Sequence, residues 1–113
     1  MSRNDRQRLE DVLAAITAIT EHLQRGDLSD GLVFDAVRVR LIEIGEAVKA
    51  LPEDLLVSED QIPWAGRKHM RDLLAHRYFD TSHTILQTTV DHDIPALKDA
   101  ILRLLQDVDD VRF

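Results

Sequence analysis

The chain has 113 residues, 44% of them apolar, with 14 Lys and Arg against 21 Asp and Glu, and no Cys. That length and apolar share fit one folded domain over 1–113 and argue against an intrinsically disordered chain, while the missing Cys excludes a disulfide scaffold, a thiolate metal site and a Cys nucleophile. A formal net charge of −7 argues against a surface that grips nucleic acid on all sides, because phosphate binding is carried mainly by Lys and Arg.

The first helix is expected from about Asp5, with Asn4 as N-cap, to Arg25, because Leu9, Val12, Leu13, Ile16, Ile19 and Leu23 recur at spacings of three and four. Gly26 stands where a C-cap would be. The loop Gly26-Asp27-Leu28-Ser29-Asp30-Gly31 leads into a second helix ending near Leu51, before Pro52. Phe34, Val37, Leu41, Ile44, Val48 and Leu51 draw one apolar seam along it. Gly45 lies beside that seam, where a missing side chain lets a neighbouring helix come close or leaves room for a ligand, packing being the default. Pro52 to Ile62 carries Glu53, Asp54, Glu59 and Asp60 and reads as a solvated connection or single turn.

A third helix is expected to open at Pro63, suited to the first helical turn, and to run to about Tyr78. Thr81 or Ser82 can cap a fourth helix holding Ile85, Leu86, Thr89 and Val90, which should kink or be recapped at Asp93-Ile94-Pro95. A last amphipathic stretch turns Leu97, Ile101, Leu104, Leu105 and Val108 inward. With no alternating strand pattern, the expected fold class is all-α, an antiparallel bundle of four or five helices. The N-terminal MSRNDRQRLEDVL has no apolar signal core, and no run approaches the ~20 apolar residues of a membrane span. A soluble, cytoplasmic protein with no membrane association is therefore expected.

Two groups of residues could carry chemistry. The five histidines, His22, His69, His76, His83 and His92, include no pair at i, i+4 spacing, so a helical zinc site has no support. His92-Asp93 echoes a metal-binding dipeptide of phosphohydrolases, but the further ligands those enzymes need are missing; no metal site and no cofactor is expected. The second group is the basic stretch Arg67, Lys68, Arg71 and Arg77, in which Arg71, Asp72, His76 and Tyr78 sit close together in an otherwise acidic chain. A guanidinium, an imidazole able to titrate near neutrality and a phenol are the parts a phosphodiester-cleaving site needs. In RNA cleavage by the adjacent 2′-hydroxyl a base takes a proton, an acid protonates the leaving oxygen, and a cation holds the charge on phosphate. The residues alone leave open a plainer reading, in which His and Tyr at a helix end meet free carbonyls or cover the core.

The spacing Arg71, four residues, His76, one residue, Tyr78 resembles the R-x4-H-x-Y signature of the HepT toxins, a branch of the HEPN superfamily. Ile42-Glu43-Ile44-Gly45-Glu46-Ala47 is similar to that family's apolar-Gly-Glu-Ala stretch. Ile62-Pro63-Trp64 precedes the motif as in many relatives, and Val90-Asp91-His92-Asp93-Ile94-Pro95-Ala96-Leu97 resembles its closing helix. The resemblance implies a homodimeric, metal-independent endoribonuclease, the toxin of a toxin–antitoxin pair. Its RNA-cleaving activity would be neutralised by an MntA-type nucleotidyltransferase that transfers AMP to the motif tyrosine. Carried over, Arg71 and His76 are the catalytic pair and Tyr78 the AMP acceptor. Glu46 and Asp72 are supporting candidates, and Arg67, Lys68 and Arg77 candidates for substrate binding. Arg40 departs from the Asn that many relatives have before the Leu of the second helix. The alternative is a subunit that binds nucleotide or the nucleotidyltransferase without cleaving RNA.

Helix geometry adds a constraint of its own. At ~100° per residue, Arg71 and Tyr78 fall on nearly one face while Arg71 and His76 differ by ~140°. One regular helix therefore does not aim both at one phosphate. A two-fold dimer placing two helix ends side by side would supply two His and two Arg around a common cleft.

Overall fold

In the computed structural model the described residues are 3–62 and 83–110, and they are helical, with no strand among them. The expected third helix and its caps, Pro63 to Ser82, lie outside the described residues. In chain order the elements are α1 (Arg3–Arg25), α2 (Gly31–Lys49), α3 (Glu53–Leu56) with a 3₁₀ turn at Val57–Glu59, α4 (His83–Thr88), a π-helical turn at Thr89–Asp93, and α5 (Ile94–Asp110). α1 is packed along both α2 and α5, so it forms the middle of this part of the bundle.

α1 begins earlier than its apolar pattern predicts. The helix already includes Arg3 and Asn4, so Asn4 is a first-turn residue rather than the cap. Gly26 does follow the helix, but no described glycine has a positive φ, so no left-handed cap forms there. What Gly26 provides is closeness: a Cβ would stand 3.3 Å from Cγ2 of Val33. The loop is held by Asp27, whose carboxylate accepts from the N–H of Ser29 at 2.9 Å and from its hydroxyl. Asp30 then caps α2, its Oδ1 accepting from the N–H of Leu32 at 2.9 Å and more weakly from that of Val33 at 3.5 Å.

So short a connection returns α2 antiparallel to α1, and the whole predicted seam is inside: Phe34, Val37, Leu41, Ile44, Val48 and Leu51 are all buried. Leu9, Val12, Ile16 and Ile19 face it from α1, and Leu86, Leu97, Ala100, Ile101 and Leu104 complete one continuous core. Gly45 is buried with the seam. α2 stops at Lys49, short of Leu51, because Pro52 follows, and the last carbonyls are taken by tight bonds from Ala50 to Ala47 and from Leu51 to Val48.

The break expected at Asp93-Ile94-Pro95 takes the form of a widened turn in a continuous helical path. The N–H of Ile94 donates to the carbonyl of Thr89, five residues back, and α5 continues through Pro95. Pro95 has no N–H to offer the residue four before it and its ring presses on that turn; the π-turn gives the ring room without ending the helix.

Candidate functional site

Of the residues that the resemblance assigns to the site, Glu46 alone falls within the described part; Arg67, Lys68, Arg71, Asp72, His76, Arg77 and Tyr78 lie outside it. Described residues on either side of that segment belong to the core. Ile62, the residue before Pro63, is buried, and so is Leu86 in α4 just beyond Ser82.

The approach to Pro63 corrects the expectation of a solvated connection. Leu51, Leu56 and Ile62 are buried, and so is Glu59, at 6% exposure. Its carboxylate is gripped by Arg103 of α5: Nε donates to Oε1 at 3.1 Å and Oε2 at 3.0 Å, and Nη2 donates to Oε1 at 2.7 Å. Gln61 Nε2 adds a bond to Oε1 at 2.8 Å. These hydrogen bonds, that from Arg103 foremost, hold the Glu59 carboxyl below the usual carboxylate range against the opposing effect of burial. The backbone joins in, since the N–H of Ile62 donates to the Glu59 carbonyl at 3.2 Å. Glu53, Asp54 and Asp60 are exposed as expected. The available sign of an inward Glu59 is the three-residue recurrence of Leu56, Glu59 and Ile62, the period of a 3₁₀ turn.

Glu46 is exposed on α2 and borders a groove of about 630 Å³ between α1 and α2. The walls include the small residues Ala14, Ala15, Ala47 and Ala50, and the charged rim is Arg8, Asp11, Arg40, Glu43 and Glu46. Arg40 is held on that rim: its Nη1 donates to both oxygens of Glu43, at 2.9 and 3.1 Å, and its Nε to Nε2 of His22 at 3.3 Å. His22 is half-buried, and its Nε2 is the acceptor of that hydrogen bond. With three carboxylates against two guanidiniums, the rim does not attract phosphate. The basic part of the sequence is Arg67 to Arg77.

Among the described residues no group of three or more His, Asp and Glu is placed to hold a metal ion. His92 is exposed on the π-turn. No helix among the described residues is long and apolar enough to cross a membrane.

Comparison with known proteins extends the picture across the chain. The model of the family described as "Ribonuclease HepT-like" matches residues 9–104. "Probable ribonuclease HepT" of Thermococcus cleftensis is 37% identical over 102 residues, 87% of this chain and 93% of that protein. A Methanocaldococcus jannaschii protein provisionally named as an RNase is 32% identical over 111 residues, 88% of this chain and 92% of the relative. Another, from Caldanaerobacter subterraneus subsp. tengcongensis, is 32% identical over 108 residues, 92% of this chain and 96% of the relative. No solved structure matches the chain. The match begins in α1 at Leu9, takes in the α2 seam and Glu46, and ends in α5 at Leu104, all of them parts of the helical core or its rim. The chain belongs to the HepT-like ribonuclease family.

Proposed function

We propose that this protein is a metal-independent endoribonuclease, the toxin of a toxin–antitoxin pair, and that it cleaves RNA with Arg71 and His76. The observation that carries the reading is the family match over residues 9–104, which contains the whole Arg71-x4-His76-x-Tyr78 pattern. The chemistry needs no cofactor. His76 takes the proton of a 2′-hydroxyl, whose oxygen attacks the neighbouring phosphorus, and the 5′-oxygen leaves with a proton from a second imidazole. The products are a 2′,3′-cyclic phosphate and a free 5′-hydroxyl. Arg71 holds the charge that builds up on the non-bridging oxygens, a task suited to a guanidinium fork. The second imidazole comes from the other copy in a homodimer, which also answers the ~140° between Arg71 and His76 on a regular helix.

Arg67, Lys68 and Arg77 supply further positive charge for the RNA backbone, and Asp72 and Glu46 support the catalytic pair. The partner is a nucleotidyltransferase of the MntA type, and Tyr78 accepts AMP from it. AMP on Tyr78 places bulk and negative charge beside His76, blocking the substrate path and repelling its phosphate.

Induced expression in a bacterial host tests the reading. Growth should stop with the parent chain, continue with His76→Ala, and be restored when the nucleotidyltransferase is co-expressed. Tyr78→Phe should stay toxic and escape that rescue. Equal toxicity of the parent and His76→Ala would contradict the catalytic assignment.

A further inference from the structure

The π-turn between α4 and α5 buries a residue that the helical pattern points away from the core. On an unbroken α-helix Val90, standing four, seven and eleven residues before Ile94, Leu97 and Ile101, lies within about 40° of each of them. Thr89, one residue earlier, lies about 80° or more from all three. Ile94, Leu97 and Ile101 are buried, yet it is Thr89 that joins them at 4% exposure while Val90 is only half-buried. The cause is the widened turn. With the N–H of Ile94 donating to the carbonyl of Thr89, the path holds one residue more than a regular turn, which rotates what precedes it by about 100°. A regular turn would bury an apolar valine in place of a threonine. Against it stands Pro95, whose ring meets the preceding turn and which has no N–H for the carbonyl of Asp91. Burial at positions 89 and 90 and the ring of Pro95 thus favour opposite geometries of one turn.

We propose that α4 has a second register relative to α5, and that Pro95 is the lock that keeps it shut. In that register the π-turn closes to a regular α-turn and the N–H of Ile94 passes from the carbonyl of Thr89 to that of Val90. α4 turns by about 100° and shifts by about 1.5 Å along its axis. Val90 replaces Thr89 in the core, and Leu86, eleven residues before Leu97, falls on the core line. The move reaches the surface as well. Thr84, Gln87 and Thr88 of α4 border, with Asp27 and Ser29 of the loop before α2, a groove of about 550 Å³, and a turn of that size takes them off it. Helix register shifts run on the microsecond-to-millisecond scale. The device is independent of the ribonuclease reading.

The chain has no Cys, so one introduced thiol reports on one position. Thr89→Cys and Val90→Cys are each made in the full chain, once with Pro95 kept and once with Pro95→Ala, and the rate of reaction with a small thiol reagent is measured under native conditions. With Pro95 kept, the thiol at position 89 should react more slowly than the one at position 90 by about tenfold or more. With Pro95→Ala the order should reverse. The same order in both backgrounds, or equal rates after Pro95→Ala, overturns the proposal. So does a Pro95→Ala chain that does not fold, since the proline would then be needed for the helical path itself. If a thiol variant fails to fold, the crystal structure of Pro95→Ala alone decides: the N–H of Ile94 should donate to the carbonyl of Val90, and a bond still made to Thr89 overturns the proposal.

Discussion

Glu59 shows how one buried carboxylate ties stability to pH. Its folded-state pKa is lowered, chiefly by the Arg103 hydrogen bonds, so its contribution is fully present above the ordinary Glu range of about 4.3 and is lost as pH falls through the lower folded value. Glu59→Gln has no such charge to lose. The gap between parent and variant in urea midpoint should therefore be widest near neutrality and close as pH drops below about 4. A gap that stays constant down to pH 3 would mean the charge on Glu59 does not stabilise the fold. Neither this pair nor the His22–Arg40 contact could be read from the sequence. Their partners stand 44 and 18 residues apart, and a local spacing that marks a side chain as inward does not name the residue it meets. The catalytic candidates were legible for the opposite reason, because Arg71, His76 and Tyr78 form one short local pattern.

At the scale of elements, the apolar spacing was enough to find α1, α2 and α5, since a period of three and four residues has one stable solution once a second helix is available to cover it. Boundaries were less legible. The polar start of α1 carries no apolar period, so Arg3 and Asn4 gave no sign of being helical, and the cap at Asp30 was hidden in a loop with two Asp residues and a Ser. Asp30→Ala should lower the unfolding free energy by about 1 kcal/mol through loss of its bonds to the N–H groups of Leu32 and Val33. Leu97→Ala, at a fully buried position of α5, should cost about 2–5 kcal/mol. Leu32→Ala is the control, because Leu32 is 83% exposed and its loss should change stability by less than about 0.5 kcal/mol. Urea denaturation of the three variants checks the order, and a cost for Leu32→Ala equal to that for Leu97→Ala would contradict the packing described.

At the scale of the whole molecule, a net charge of −7 and an RNA substrate are reconciled only if the positive charge is concentrated. Among the described residues the groove between α1 and α2 has a net acidic rim, and the sequence carries its basic run from Arg67 to Arg77. Sedimentation equilibrium at micromolar concentration should give twice the chain mass, and a monomer that still cleaves RNA would rule out the shared cleft. Chemical order also predicts the fate of Tyr78. After incubation with the nucleotidyltransferase and ATP, intact mass should rise by one or more AMP groups in the parent and not in Tyr78→Phe. The central claim, that this chain cleaves RNA through His76 without a metal, is tested most directly by incubating purified parent and His76→Ala proteins with labelled RNA in excess chelator. The parent should generate fragments ending in 2′,3′-cyclic phosphate, with the variant slower by about 10²- to 10⁴-fold and unchanged in helical content. Equal cleavage by the two proteins, or cleavage by the parent only after a divalent metal is restored, would contradict it.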